Sequence, residues 1–534
     1  MNSDDVEKVH GSLSLKSVSQ SEIENTPTKE THGKFLDLKP QSKFKRWLYG
    51  LKNVEMGGIE RVPEEKREPV TASTTLHMLL MWFSMTLAVN NIIVGSLGTL
   101  LMGLCFKDAA LCGILGNFLG TMAVGYMSTW GPRSGNRTLI VSRYFMGYYP
   151  NMVCCSLNIL TNLGYSMLNS VVGGQIISKA SGGQISVLLG IVVVAVISWA
   201  MAMFGMRIFQ IYERWAIDLY NKHERRTSLI EYHSPRFAWL PQLMVLCIMI
   251  GSAGPNFNFD IHKDYSPEHL NAKRITYFSL CLSIAIAWAP LSADYYVYYP
   301  PQVKRWRTWM VTVLGSAQAM TITLLLGMGL GTVLASSPGY LAEYGNSPGG
   351  LLMTAYAPLG GFGKFCAVVN VLALVANNTP GAYSMGMNFQ MLGGFFQRVP
   401  QPVFTTLSTV IYTACAMGGR NSLYEIFKSF LPLIGYWVIM WFVIVVEEDL
   451  FFRRSKGYDW SAWNTREKLP MGIAAGIAFL IGWGGAIIGM DQAYYSGVIA
   501  QVAGGSDLGL WVGAGFTAVA FPPLRMLEKW YIGR

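Results

Sequence analysis

The chain has 534 residues, of which 51% are hydrophobic and only 13% charged, with a formal net charge of +10. A chain so long and so apolar excludes one ordinary soluble domain and points to an all-α polytopic membrane protein. Its basic residues gather in short loops between apolar runs, so the positive excess reads as membrane topology and not as nucleic-acid binding.

Residues 1–73 are rich in Ser, Thr, Lys and Glu with no run able to form a core, which predicts a disordered cytoplasmic tail. No apolar stretch lies near Met1, so no cleavable signal peptide is expected, and the first span serves as its own insertion signal. The tail's Ser, Thr and Lys residues suit phosphorylation or a ubiquitin ligase acting on the tails.

A spanning helix needs about 20 mostly apolar residues. Twelve segments qualify: Leu76 to Leu101, Ala109 to Trp130, Tyr149 to Ile177, Ile185 to Phe204, Trp239 to Ala253, Ile275 to Tyr298, Trp309 to Ala335, Lys364 to Leu392, Val403 to Met417, Leu423 to Val446, Pro470 to Gly489 and Leu508 to Phe521. They define a twelve-helix domain over 74–524, embedded in the lipid bilayer, with a C-terminal tail at 525–534. One set of loops carries Arg133, Arg137 and Arg143, then Arg207, Arg214, Lys222, Arg225 and Arg226, then Lys304, Arg305 and Arg307, then Arg398, and finally Arg453, Arg454, Lys456, Arg466 and Lys468. The alternate loops are much poorer in Lys and Arg. The rich set therefore faces the cytoplasm, with both termini inside.

Polar side chains interrupt these spans in patterns. The first segment carries Ser84, Thr86, Asn90, Asn91, Gly95 and Gly98. The third carries Asn158, Asn162, Tyr165 and Asn169, and the eighth carries Asn370, Asn377, Ser384 and Asn388, each set recurring at helical spacing on one face. Such a face must look at other helices or at a cavity, because lipid offers no hydrogen bond. The eighth segment also holds Pro380. The sixth places Pro290 in mid-span, between Trp288 and Asp294. A proline there frees a backbone carbonyl, and broken helices are where membrane carriers expose backbone groups to solutes. Amides supply donor and acceptor and aromatic rings supply a flat face, so together they suit a planar heteroaromatic solute.

Enzymatic chemistry is excluded on the same grounds. Only His77 of seven histidines touches a span, and Gly360-Gly361-Phe362-Gly363 lacks the Lys-Ser or Lys-Thr of a phosphate loop. No His, Cys, Asp and Glu set has metal-ligand spacing.

Gly58-Ile59-Glu60-Arg61-Val62-Pro63, Trp82-Phe83-Ser84, Gly173-Gly174-Gln175, Tyr212-Glu213-Arg214, Gly360-Gly361-Phe362-Gly363-Lys364-Phe365, Ala376-Asn377-Asn378 with Pro380 and Tyr383-Ser384, Gly435-Tyr436-Trp437, and Leu469-Pro470 followed by Gly472-Ile473-Ala474-Ala475 resemble the fungal purine-cytosine permeases of the nucleobase-cation-symport-1 family. The resemblance runs from about Gly58 to Arg534. It implies twelve transmembrane helices, built as a 5+5 inverted repeat in the leucine-transporter-like fold plus two C-terminal helices. It also implies uptake of adenine, guanine, hypoxanthine or cytosine across the plasma membrane by proton symport, with no cofactor beyond the coupling proton.

The residues it marks for substrate are Ser84, Asn169 and Asn377 with Pro380. Tyr165 stands where relatives often have Trp, and Trp288 resembles the aromatic of the sixth helix. Asp294 is the candidate for coupling or gating. A pyridoxine (vitamin B6) permease of the same family is the alternative, and a non-transporting nucleobase sensor a more distant one. In relatives Tyr212-Glu213-Arg214-Trp215-Ala216 leads almost directly into a segment like Trp239-Leu240-Pro241. Here the polar stretch 217–237 intervenes, either a real cytoplasmic loop or a retained intron.

Overall fold

The computed structural model describes residues 58–67, 69–203, 239–338, 341, 347–453 and 457–533. The 217–237 insertion and residues 1–57 of the expected tail lie outside the described residues. The principal helices are α1 (Ala72–Thr86), α2 (Val89–Ser96), α3 (Phe106–Ser128), α4 (Pro150–Ala180), α5 (Val187–Met203), α6 (Trp239–Ala253), α7 (Pro267–Ile286), α8 (Arg305–Ser336), α9 (Pro348–Tyr356), α10 (Gly360–Met391), α11 (Gln401–Gly419), α12 (Leu423–Glu447), α13 (Ile473–Gly489) and α14 (Gly509–Ile532). Each of the twelve apolar segments expected from the sequence overlaps a described helix. By length and composition, six described helices can cross a membrane, or seven if the bent pair α1 and α2 counts as one span. Two more, α5 and α13, are apolar but shorter.

Local chemistry sets the helix starts. Thr71 and Thr74 form a capping box at α1, each hydroxyl accepting from the other's backbone N–H at 3.2 and 2.8 Å. Pro267 and Pro348 open α7 and α9, where a missing N–H costs nothing. Large apolar side chains such as Leu111, Phe365, Leu480 and Val519 are more than half exposed, along helices whose other faces are packed. Water would penalise such a surface, whereas lipid accepts it.

Two breaks organise the interior. Between Thr86 and Val89 the chain bends by 53°. After Ile286, α7 gives way at Ala287 and Trp288 to a 3-10 turn over Ala289–Tyr296 with Pro290 as its second residue. Around them α10 packs along α4, α3 along α7 and α8, and α13 against α14. The bent first helix lies close to α8 because both carry glycine at the crossing. A Cβ on Gly327 would overlap the backbone of Ile92, and one on Gly95 the backbone of Leu324.

Two stretches that the sequence assigns to tails make ordered contacts among the described residues. Residues 58–67 are seated on the turn after α3: Val62 N–H donates to Gly135 O at 2.9 Å, and the buried Arg67 reaches Pro132 O at 2.8 Å. At the other end α14 continues to Ile532, through the 525–534 stretch expected to be a tail. Arg525, the first charge of that stretch, is 1% exposed because it bridges Glu448 (2.9 Å) and Glu528 (2.9 Å). Composition cannot reveal that a charge has two buried partners.

Candidate functional site

Unwinding the first helix leaves carbonyls without intrahelical partners, and such groups need donors. Asn91, in the first turn of α2, donates to Thr86 O at 2.9 Å, and Asn377 of α10 donates to Met85 O at 2.8 Å. Asn377 is thereby tied to the break. Asn169 of α4 donates both its amide hydrogens across to α10, to Asn377 Oδ1 at 3.0 Å and Asn378 Oδ1 at 2.8 Å. Asn378 in turn reaches Ser198 Oγ of α5 at 3.5 Å.

These amides line a pocket set between both breaks, α4 and α10. Its walls include Asn90, Asn91, Asn162, Tyr165, Asn169, Trp288, Asn377 and Asn378. No Asp, Glu, Lys, Arg or His is among its lining residues, so the site is polar without charge. Two acceptors are buried and unpartnered there, Asn90 Oδ1 and Asn169 Oδ1. An unpaired buried amide oxygen costs about 1–3 kcal/mol, a cost removed when a ligand brings an N–H to it.

Of the residues expected from the sequence, Tyr165, Asn169, Trp288 and Asn377 come together on this pocket. Trp288 meets Trp82 edge to face at 6.2 Å, and Tyr165 meets Phe430 at 6.3 Å. Trp82 is itself fixed, its Nε1 donating to Tyr296 OH at 3.0 Å. Ser84 does not line the pocket, since it lies on α1 before the bend. Pro380 is buried within α10, also off the pocket wall. Its contribution is to the backbone, because without an N–H it cannot close the helical hydrogen bond to Ala376 O. Asp294 is likewise outside the pocket. Its Oδ1 accepts from Thr138 N (2.6 Å) and Thr138 Oγ1 (2.8 Å), and it lies within electrostatic reach of Arg137. Asn370 pairs with Gln242 (3.0 Å) and Tyr356 (2.8 Å), helix to helix. The sequence reading passed over Asn90, Asn91 and Asn378 as site residues, although the Asn-Asn doublets at both positions were the available signal.

Residues 61–513 match the family described as permease for cytosine/purines, uracil, thiamine, allantoin. The chain belongs to this permease family. It is 31% identical to purine-cytosine permease fcyB of Emericella nidulans over 486 residues, covering 90% of each chain. It is also 29% identical to vitamin B6 transporter TPN1 of Saccharomyces cerevisiae over 547 residues, covering 91% of this chain and 90% of that one. These relatives are permeases and transporters, not enzymes. Among solved structures, the nucleobase-cation-symport-1 family transporter Mhp1, closed with bromovinylhydantoin bound, superposes with TM-score 0.64 at 12% identity, covering 88% of this chain and 95% of that one. Its inward-facing form gives 0.58. The fold is therefore that of Mhp1, and the protein is a membrane permease of this family.

Proposed function

We propose that the permease imports purine nucleobases or cytosine across the plasma membrane by proton symport and alternating access. On this reading it has twelve spans arranged as a 5+5 inverted repeat plus two, both termini in the cytoplasm, and no cofactor beyond the coupling proton. The observation that carries it is the charge-free pocket in which an amide network, two unpartnered amide oxygens and two aromatic residues converge. A neutral planar base brings N–H donors for the oxygens and a π-face for the rings. A charged solute would leave its charge unpaired in such a site.

Asp294 belongs, on this proposal, to the inner closure and not to the substrate site, because it ties the 3-10 turn after Trp288 to Thr138. Ser84 and Pro380 act through the shapes of their helices. The amino-terminal tail remains a proposed target for phosphorylation and a ubiquitin ligase. The second reading is a vitamin B6 permease, favoured by the similarity to TPN1 and by Tyr165, a hydroxylated ring on the pocket.

Uptake of labelled adenine, cytosine and pyridoxine in a host without its own carriers separates these readings. Saturable adenine or cytosine uptake, abolished in Asn377→Ala at unchanged surface amount, is expected. Pyridoxine uptake alone replaces the substrate assignment, and no uptake by surface-expressed native protein overturns transport altogether.

A further inference from the structure

The turn that follows α3 keeps two buried donors without acceptors, well away from the substrate pocket. Trp130, 1% exposed, has no partner for its Nε1, and the half-buried Arg133 has none for its Nη1. A buried donor left unpaired costs free energy, more so when it is charged, so two in one turn call for a reason. The Arg133 guanidinium lies 4.5 Å from the centre of the Trp130 ring, and that of Arg305, in the first turn of α8, lies 5.5 Å from the same centre. Two cations on one indole repel each other, and among the described residues neither is paired with a carboxylate. The acidic groups nearby are committed elsewhere. Asp449 accepts from Tyr126 OH at 2.8 Å and Tyr458 OH at 3.0 Å, and Glu448 holds Arg453 at 3.0 Å.

Arg305 also opens a helix of 32 residues. The first turn of α8 contains no acid, and its N-cap Lys304 makes no side-chain cap. The positive end of the helix dipole therefore adds to the charge of Arg305 and not against it. Deeper along the same two helices the surface becomes apolar. Leu119 and Met122 of α3, with Met310 and Leu314 of α8, are 36–43% exposed on helices long and apolar enough to cross a membrane. Trp309 clasps the pair, its Nε1 donating to Met122 O at 3.2 Å, and Trp306 stands 63% exposed beside Arg305. A cationic corner that continues into a lipid-facing surface matches a molecule with both parts, a phosphate head on acyl chains.

We propose that Arg133, Arg305 and the start of α8 bind the phosphate of an anionic phospholipid headgroup, whose acyl chains lie along the outer faces of α3 and α8. A phosphate takes hydrogen bonds from both guanidinium groups in the fork geometry that arginine favours, and it supplies the acceptor that Arg133 Nη1 lacks. It also cancels the repulsion between the two cations, leaving the Trp130 ring as a platform for both. Bound there, the lipid fastens the turn after α3 to the start of α8. The same turn leads on to Thr138, whose N–H and hydroxyl hold Asp294, so the lipid braces the ground on which that contact stands.

This binding requires no particular solute, so its failure leaves the transport reading intact. Purified native protein is compared with Arg133→Gln, Arg305→Gln and Arg398→Gln, the last an exposed arginine on another loop. Each is given phosphatidylserine, phosphatidylcholine or inorganic phosphate in detergent, and the thermal midpoint and the phospholipid retained through gel filtration are measured. Phosphatidylserine is expected to raise the native midpoint several degrees above phosphatidylcholine. The rise falls by about half or more in Arg133→Gln and Arg305→Gln, which also retain less phosphatidylserine, and persists in Arg398→Gln. Arg133→Lys, which keeps the charge but not the fork, falls between. Should Arg133→Gln fail to fold, the exposed Arg305→Gln carries the comparison. An equal rise in native protein and both glutamine variants overturns the site, because the effect is then one of overall charge. The same rise with inorganic phosphate makes this a free-anion site and overturns the lipid. No difference between the two lipids in native protein overturns the proposal outright.

Discussion

Asn90 and Ser84 lie only six positions apart, yet the bend between them gives them different surroundings. Asn90 lines the pocket and keeps a buried, unpartnered oxygen, while Ser84 lies on the far side of the break. Replacing Asn90 by Ala removes an acceptor that a substrate N–H would satisfy, and is expected to weaken substrate binding about tenfold. Ser84→Ala is expected to stay within about twofold by the same reasoning. Competition of unlabelled against labelled substrate on purified protein measures both, and a reversed order would place the substrate nearer α1 than the pocket indicates. Helical periodicity made the stripes on α4 and α10 legible in the sequence, because those helices are continuous and their amides keep a constant face. It failed on the first helix, since a 53° bend rotates the residues after it onto a face that no fixed period describes.

At the level of elements, close approach of α2 and α8 supports the broken helix from behind. With no side chain at Gly327, the backbone of Ile92 comes within atomic contact. The sequence displayed the glycines of the first segment as capable of close packing, but not their partner more than two hundred positions away. Gly327→Val must push α2 away from α8 or strain both, at a cost of about 1–3 kcal/mol for overpacking a filled interface. A thermal midpoint several degrees below native in detergent is the expected outcome, together with weakened substrate binding, because α2 carries Asn90 and Asn91. A native-like midpoint would mean that the helices yield without cost. Both features that the sequence assigned to tails belong to this scale as well. Arg67 and Arg525 looked water-facing by composition, but each is buried by partners contributed from distant helices or turns.

Across the whole molecule, α13 and α14 are fastened to the bundle at both ends. At one end Arg525 bridges Glu448 and Glu528, and Glu528 Oε1 accepts from the N–H groups of Gly472 and Ile473 at 2.8 and 3.0 Å. At the other, Asp507 in the turn before α14 accepts from Tyr436 OH at 2.6 Å, Gln492 Nε2 at 2.8 Å and Gly509 N at 3.1 Å, while its own N–H donates to Thr276 of α7. No cation faces Asp507 among these contacts, and the neighbouring charge is Asp491. Burial, reinforced by Asp491 and opposed by the donors, raises its carboxyl to about 6. The folded state therefore holds this proton more tightly than the unfolded chain, where an aspartate titrates at about 3.9. Stability from this group is fully present at low pH and is lost as pH rises through about 4 to 6, by at most about 3 kcal/mol. Other groups titrate too, so the informative quantity is a difference. Thermal midpoints of native protein and Asp507→Asn, taken from pH 5 to 7.5, are expected to diverge, with native protein losing more of its midpoint on going to higher pH. Parallel curves would show that the donors around Asp507 hold the carboxylate as readily as water does, leaving this fastening of α14 insensitive to protons.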